Sequence, residues 1–324
     1  MRFSLVIPVY KNADGLPRLL DAIAELDRDS QAQHGVPLDA VFIVDGSPDD
    51  SYAQLVERLP SQTFASRLAL HSRNFGAFAA IRTGLELADG DGFGVMAADL
   101  QEPPELILKF IELLASDAAD VVVGVRTKRD DPLLGRVLSR VFWGFYRRTV
   151  IRDMPQGGVD IFGCNRAFRD NLLRFGEARS SLVAQVFWLG FRRREVPYKR
   201  EKRQQGRSAW SLRKRLDYMS DSIFAFTDLP IKLLTQAGVI GLVLSVAISV
   251  FLVLARLFGA IDVPGYTPLM LATIFFGSLN LIAFGVVGNY AWRAYTNTQA
   301  RPLAVVARVD RFDGRGALGD KARP

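Results

Sequence analysis

Residues 233–255 carry no charged side chain over 23 consecutive positions. As an α-helix that run is about 34 Å long, enough to cross a hydrocarbon core of about 30 Å. A second uncharged run covers residues 269–292. Two helices this long and this apolar on every side rarely both find burial in a soluble domain, so the pattern predicts two transmembrane helices.

Charge is divided along the chain in a way that orients such an anchor. Residues 1–125 hold 9 Lys/Arg against 19 Asp/Glu, and the remainder holds 32 against 15. Residues 192–215 alone carry 11 basic and 2 acidic groups. The connection 259–268 has one acid, Asp262, and no base. Basic flanks and a short neutral loop put both chain ends in the cytoplasm and the loop outside. Arg256, near the outer end, can snorkel to the far interface. Met1 and Arg2 lead directly into Phe3-Ser4-Leu5-Val6-Ile7-Pro8, which reads as a strand and not as a signal peptide, so the N-terminal part is expected in the cytoplasm. The single cysteine, Cys164, excludes an intrachain disulfide, and histidines only at 34 and 71 argue against a histidine-based metal site. The expected organisation is a cytoplasmic domain with juxtamembrane helices at 1–230, two transmembrane helices within 231–294, and a cytoplasmic tail at 295–324.

Strand-like runs at 3–9, 40–44, 67–71, 93–97 and 120–125 alternate with helix-like runs near 15–26, 51–59, 75–88 and 104–115. This order predicts an α/β fold with a mostly parallel sheet covered on both faces. An amphipathic helix is expected at 132–150, either in the membrane interface or packed on the sheet. A second is expected at 210–226, leading into the first span. The tail holds one strand-like run, 303–309.

The chemistry concentrates in Ala97-Ala98-Asp99-Leu100-Gln101-Glu102-Pro103-Pro104-Glu105, just past the fourth strand. In open α/β sheets that rim is where ligands bind. Oxygen ligands from Asp99 and Gln101, two residues apart, suit Mg²⁺ or Mn²⁺ shared with a substrate diphosphate. The plainer alternative is that Asp99 is a turn residue.

This segment resembles the DADLQDPPE stretch of the family 2 (GT-A) glycosyltransferases that load a sugar onto a polyprenyl phosphate. Other blocks follow the same family order. Ile7-Pro8-Val9-Tyr10-Lys11-Asn12 is similar to IPVYNE, which makes Pro8 and Tyr10 part of a donor-nucleotide loop. Asp45, in Val44-Asp45-Gly46-Ser47, ends the second strand, where a carboxylate can accept from a base N–H or a ribose hydroxyl. Asp50 or Ser51 is expected, on the plainer reading, only to cap the helix that follows. Ser72-Arg73-Asn74-Phe75-Gly76 resembles SRNFG; Arg73 is then a phosphate ligand, while Asn74 shares that site or caps the next helix. Arg126 and Arg129 match a GxRxxR stretch and are candidates for the acceptor phosphate, although alone they would read as a solvated loop. Asp160 and Arg166 match a G-x-DF-x-L-x-x-R block, with Asp160 as base or acceptor-orienting group. A base is not required, because a phosphate monoester is already ionised at neutral pH. Arg203 and Arg207 fall in a block resembling RxxGxSKY and would close over the diphosphate or the lipid phosphate. The wider basic run also suits anionic lipid. Nucleic acid is set aside as its partner because the apolar runs follow immediately.

The resemblance implies a membrane-bound, inverting transfer of a sugar from a UDP- or GDP-linked donor to a polyprenyl phosphate. It implies a bacterial-type inner membrane, with Mg²⁺ or Mn²⁺ as cofactor and Asp99 and Asp160 as catalytic residues. Homo-oligomerisation is left open. Val44, Ala97 and Phe162 stand where the family has polar residues. These departures keep a second reading in view, a non-catalytic scaffold that binds lipid or nucleotide. A polysaccharide synthase is a third, but Gln185-Val186-Phe187-Trp188 lacks the arginine of a QxxRW segment.

Overall fold

The computed structural model describes residues 1–126, 159–177, 180–199, 220–258 and 266–314, with isolated positions between 144 and 155. The first part alternates as expected: β1 (Phe3–Val9), α1 (Leu16–His34), β2 (Leu38–Val44), α2 (Ser51–Arg58), β3 (Ala65–His71), α3 (Ala77–Leu87), β4 (Gly92–Val95), α4 (Glu105–Ala115) and β5 (Val121–Arg126). There follow β6 (Val159–Asn165), α5 (Arg166–Leu172), α6 (Leu182–Trp188), β7 (Arg193–Tyr198), α7 (Leu229–Leu257), α8 (Tyr266–Thr298) and β8 (Val306–Phe312).

All eight strands form one sheet in the order β7-β5-β6-β4-β1-β2-β3-β8. β1 pairs in parallel with both β2 and β4, and β2 with β3. β6 runs antiparallel between β4 and β5, and β7 pairs in parallel with β5. The two faces of each central strand are divided between two helical layers. Phe3, Leu5, Ile7 and Val9 of β1 pack with α1 and α4, and Val6 packs with α3 on the other face. Near-continuous apolar strands such as Leu38–Val44, buried throughout, are what a sheet covered on both faces requires.

α1 runs on to His34, well past the last apolar residue of its stripe, Leu26. Asp27 and Ser30 extend the buried face by bonding to the turn that follows: Leu38 N–H donates to Asp27 at 2.9 Å, and Ser30 Oγ donates to the Val36 carbonyl at 2.7 Å. Gly35, left-handed with φ 65°, closes the helix.

The tail is not a separate unit. β8 adds to the sheet edge antiparallel to β3, with Ser66 opposite Phe312 and Leu70 opposite Arg308. Tyr52 Oη donates to Asp310 at 2.6 Å, and burial together with that carboxylate pushes the phenol up to about 12. Since β8 is the next element after α8, the long helix is tied back to the edge of the sheet.

α7 contains one stretch, Leu229–Ile248, long and apolar enough to cross a membrane. α8 is longer, 33 residues, but no stretch of it meets the same criterion among the described residues. The structure therefore supports one of the two expected spans by composition. Both helices nevertheless present large apolar side chains outward: Phe251 is 68% exposed, and Leu281 and Phe284 are each 74% exposed. At about 25 cal/mol per Å² such a surface is costly in water, and in contiguous form it marks an apolar environment. At the other end of α8, Arg293 bonds to Asn289 at 2.9 Å and to Asp221 at 2.6 Å, pinning the helical segment 220–226 against it.

Deleting residues 299–324 should uncover the β3 edge and lower the thermal midpoint. It should also open cleavage sites between residues 61 and 72 in limited proteolysis. An unchanged midpoint and digestion pattern would show that β8 contributes nothing to the sheet.

Candidate active site

The strand order reverses between β4 and β1: the chain builds outward through β2 and β3, then returns to place β4 on the other side of β1. Such a switch point leaves a crevice beyond the carboxyl ends of the strands. Tyr10 leaves β1 and Asp99 follows β4, so these two residues flank that crevice. Along the same rim lie Asp45 after β2, His71 and Arg73 at the end of β3, and Arg126 at the end of β5. The antiparallel β6 begins there, with Val159 opposite Val125, which brings the Asp160 backbone to the rim as well. At about 4.8 Å per strand, the ends of β3 and β4 are about 14 Å apart, so only an extended ligand can touch both the Arg73 and the Asp99 loops.

Hydrogen bonds join these loops to one another. Asn12 Nδ2 donates to the Ala98 carbonyl at 2.9 Å, linking the β1 and β4 loops. Lys11 N–H donates to Ser47 Oγ at 2.8 Å, and Ala13 N–H to Asp49 at 3.1 Å, linking the β1 and β2 loops. Lys11 and Leu100 both take left-handed backbone, each with φ 52°, as tight loops require. Leu100 N–H closes a turn on the Ala97 carbonyl at 3.3 Å, and Asp99 and Gln101 are both half-buried beside it.

The firmest link is between the β2 and β3 loops. Asp45 is 2% exposed. One carboxylate oxygen accepts from His71 Nδ1 and from Phe75 N–H, both at 2.8 Å, and the other from Gly76 N–H at 2.8 Å. Its main-chain carbonyl accepts from Asn74 Nδ2 at 3.1 Å. Burial opposes the charge on Asp45, but the His71, Phe75 and Gly76 bonds outweigh it and hold the carboxyl below the ordinary value of 3.8. Gly46, with φ 55°, lies against the same loop: a Cβ there would stand 2.2 Å from the Arg73 carbonyl carbon. Gly76 has φ 100° and ψ 156°, a region open almost only to glycine. Arg73 itself is exposed, its guanidinium 4.1 Å from the Phe75 ring centroid.

The structure thus changes the part expected of Asp45. Both of its oxygens are turned inward and serve the protein, which makes it the anchor of the Arg73 loop. It does not present a free carboxylate to a ligand. Asn74 likewise joins loop to loop and does not cap α3, where no side-chain cap is made. Val44 and Phe162, which stand at polar family positions, are buried in the two apolar layers. Pro8 is inside β1, paired with Ile43, and the strand runs one residue further to Val9 before the rim. Arg166 sits away from the rim, bonded to the Gly90 carbonyl at 2.9 Å where β4 begins. Arg129, Arg203, Arg207 and most of the helices expected at 132–150 and 210–226 lie outside the described residues, as does the Asp160 side chain. Sequence reasoning passed over His71, whose only signal was a polar residue at the end of an apolar strand.

Among the described residues no three His, Cys, Asp or Glu side chains group together as a metal cluster. The donor set at the crevice is one carboxylate, Asp99, with the Gln101 amide two residues on. All are hard oxygen donors, which fit Mg²⁺ or Mn²⁺ when diphosphate oxygens and water complete the shell.

Residues 4–175 match the family model described as glycosyl transferase family 2. The chain is 30% identical over 307 residues to an uncharacterized glycosyltransferase of Synechocystis sp., covering 95% of each. It is 30% identical over 316 residues to the undecaprenyl-phosphate 4-deoxy-4-formamido-L-arabinose transferase of Klebsiella pneumoniae, covering 96% of this chain and 94% of that one. A solved glucosyl-3-phosphoglycerate synthase of Mycobacterium tuberculosis is similar at 15% identity with a TM-score of 0.45, covering 69% of this chain and 77% of that one. The chain belongs to glycosyltransferase family 2, and with its rim of strand-end loops it is a glycosyltransferase. That sets the scaffold reading aside.

Two substitutions test the geometry. Gly46→Ala forces the Arg73 loop to move and should weaken nucleotide binding at least tenfold while the circular dichroism spectrum stays native. For Asp45, folded-state ionisation is favoured, so its stabilisation is complete above the unfolded-state pKa and is lost as pH falls through the lower folded value. Asp45→Asn should therefore destabilise by about 3 kcal/mol at pH 7, a gap that persists to pH 5 and narrows below about pH 4. Thermal unfolding of both proteins across that range reads it directly.

Proposed function

We propose that this protein transfers a sugar from a nucleotide sugar, UDP- or GDP-linked, to a polyprenyl phosphate at a bacterial inner membrane, with inversion at the anomeric carbon. One observation carries this reading. The rim that gathers Tyr10, Asp99 and Arg73 belongs to a domain tied by β8 and α8 to long helices whose outward faces are apolar. A water-soluble donor and a lipid acceptor are the two substrates such an arrangement suits. The similarity to undecaprenyl-phosphate transferases over nearly the whole chain supports the acceptor class.

In this reading the nucleotide lies across the loops after β1, β2 and β3, with Tyr10 beside the base or ribose and Arg73 on phosphate. Asp99 and Gln101 would hold Mg²⁺ or Mn²⁺ at the donor diphosphate, where the ion's chemistry is to neutralise charge on the departing nucleoside diphosphate. Arg126, two strands beyond β4, belongs to the acceptor side with Arg129, Arg203 and Arg207 as further cations for the lipid phosphate. Asp160, where β6 starts between the two sides, orients the acceptor. The acceptor oxygen is already anionic, so most of the catalytic work is alignment of two charged reactants and support of the leaving group. The second span, 269–292, and cytoplasmic placement of the rim complete the topology.

The experiment is a donor screen with purified protein in detergent and undecaprenyl phosphate, reading lipid-linked product by mass. One donor should give product that disappears with EDTA, and Asp99→Ala should lower the rate by at least a hundredfold. Absence of product from every UDP- and GDP-sugar tested would overturn the proposal. Undiminished transfer by Asp99→Ala would remove the metal assignment.

A further inference from the structure

His71 is the one buried histidine, 1% exposed, and nothing in the proposed chemistry calls on it. It ends β3, immediately before the Arg73 loop. Its Nδ1 bonds to Asp45 Oδ1 at 2.8 Å, its Nε2 to Thr83 Oγ1 of α3 at 3.0 Å, and its ring meets Phe75 edge-on at 5.5 Å. Both ring nitrogens are therefore engaged and the imidazole cannot turn.

The hydrogen-bond roles follow from the chemistry. Asp45 is ionised and accepts only, so Nδ1 carries the proton of that bond. In the neutral ring Nε2 must accept, and the Thr83 hydroxyl donates to it. A carboxylate buried to this degree and left with only two backbone donors would keep a bare lone-pair face on Oδ1 and would relax toward water. His71 prevents that. With the carboxylate fixed, its two oxygens set where Phe75 N–H and Gly76 N–H lie, and the Phe75 ring sets the Arg73 guanidinium stacked on it. The chain of contacts runs from Thr83 in the helix layer to an exposed cation on the rim. Arg73 is its only exposed member.

We propose that His71 is a positioning residue of the donor site: through Asp45 it holds the loop 72–76 in the shape that presents Arg73 to a nucleoside diphosphate. It acts on donor affinity and leaves the acceptor side untouched, since Arg126 stands at the far end of the rim, beyond β4 and β6. The inference rests on the reading of this rim as the nucleotide-sugar site.

Full-length protein in detergent is titrated calorimetrically with UDP and with GDP in the presence of Mg²⁺, and KM is measured separately for donor and for undecaprenyl phosphate. His71→Leu keeps volume and removes both bonds. His71→Asn keeps a donor near the Nδ1 position, and Thr83→Val removes only the hydroxyl. His71→Leu should weaken nucleotide binding and raise donor KM by about tenfold, the loss of one hydrogen bond to a charged group. The lipid KM should not move. His71→Asn should recover most of the affinity, and Thr83→Val should fall between. Equal changes in both KM values, or unchanged nucleotide affinity in His71→Leu, would overturn the proposal. So would a His71→Asn protein as weak as the leucine variant. If His71→Leu does not fold, Thr83→Val still decides, because unaltered nucleotide binding in that variant contradicts the proposal. Wild type that binds nucleotide but makes no lipid-linked product refutes the proposed function alone. Wild type that binds neither nucleotide refutes both.

Discussion

The buried charge of Asp45 is the constraint on which the rim depends. A carboxylate at 2% exposure is tolerable only if its oxygens are satisfied from within the protein, and here the satisfying groups come from a different strand end. The solvation problem at the end of β2 is thus solved by the loop after β3, and the two loops become one unit. Gly46 adds a steric reason for the same coupling, since only a residue without a side chain lets the backbones approach so closely. The next link continues outward: Ser72 N–H donates to the Val305 carbonyl at 3.0 Å, joining the loop to the segment between α8 and β8. A hydrogen-bonded path therefore runs from the Arg73 loop to the segment that follows α8.

This arrangement divides labour along the sheet. On one side of the switch point, parallel strands and interlocked loops make a rigid seat. On the other, β5 and the antiparallel β6 bring Arg126 and the Asp160 backbone to the same edge. A transferase for one soluble and one lipid substrate gains from such separation. In the proposed reaction the donor seat is preorganised by internal bonds, whereas the acceptor side meets a ligand that arrives from an apolar phase.

How much of this was legible in the sequence depended on which physical signal each residue carried. The five N-terminal strands and the helices between them were readable from apolar runs, and the β4 turn from its two prolines and flanking carboxylates. The end of α1 was missed because Asp27 and Ser30 look like surface residues in a one-dimensional pattern. They are buried by bonds to a turn that periodicity does not report. The strand at 306–312 was displaced from its expected position, and its place in the catalytic sheet was missed. Its partner, β3, lies more than two hundred residues earlier, and pairing at that separation leaves no local trace. Asp45 was recognised as a rim residue but given a ligand-facing part, since a motif shows a carboxylate's position and not where its oxygens point. For the same reason Val44 and Phe162 looked like losses from the site. Strand alternation turns both into apolar layers, where hydrophobic side chains belong.

The central claim is that a nucleotide sits on the loops that extend the parallel strands at the switch point. Hydrogen–deuterium exchange of the full-length protein, with and without saturating nucleoside diphosphate and Mg²⁺, tests it most directly. The account predicts slowed exchange in peptides spanning 10–13, 45–50, 72–76 and 97–101, with β7 and α5 unchanged. Protection confined to other segments, or none in these four while nucleotide is demonstrably bound, would contradict it.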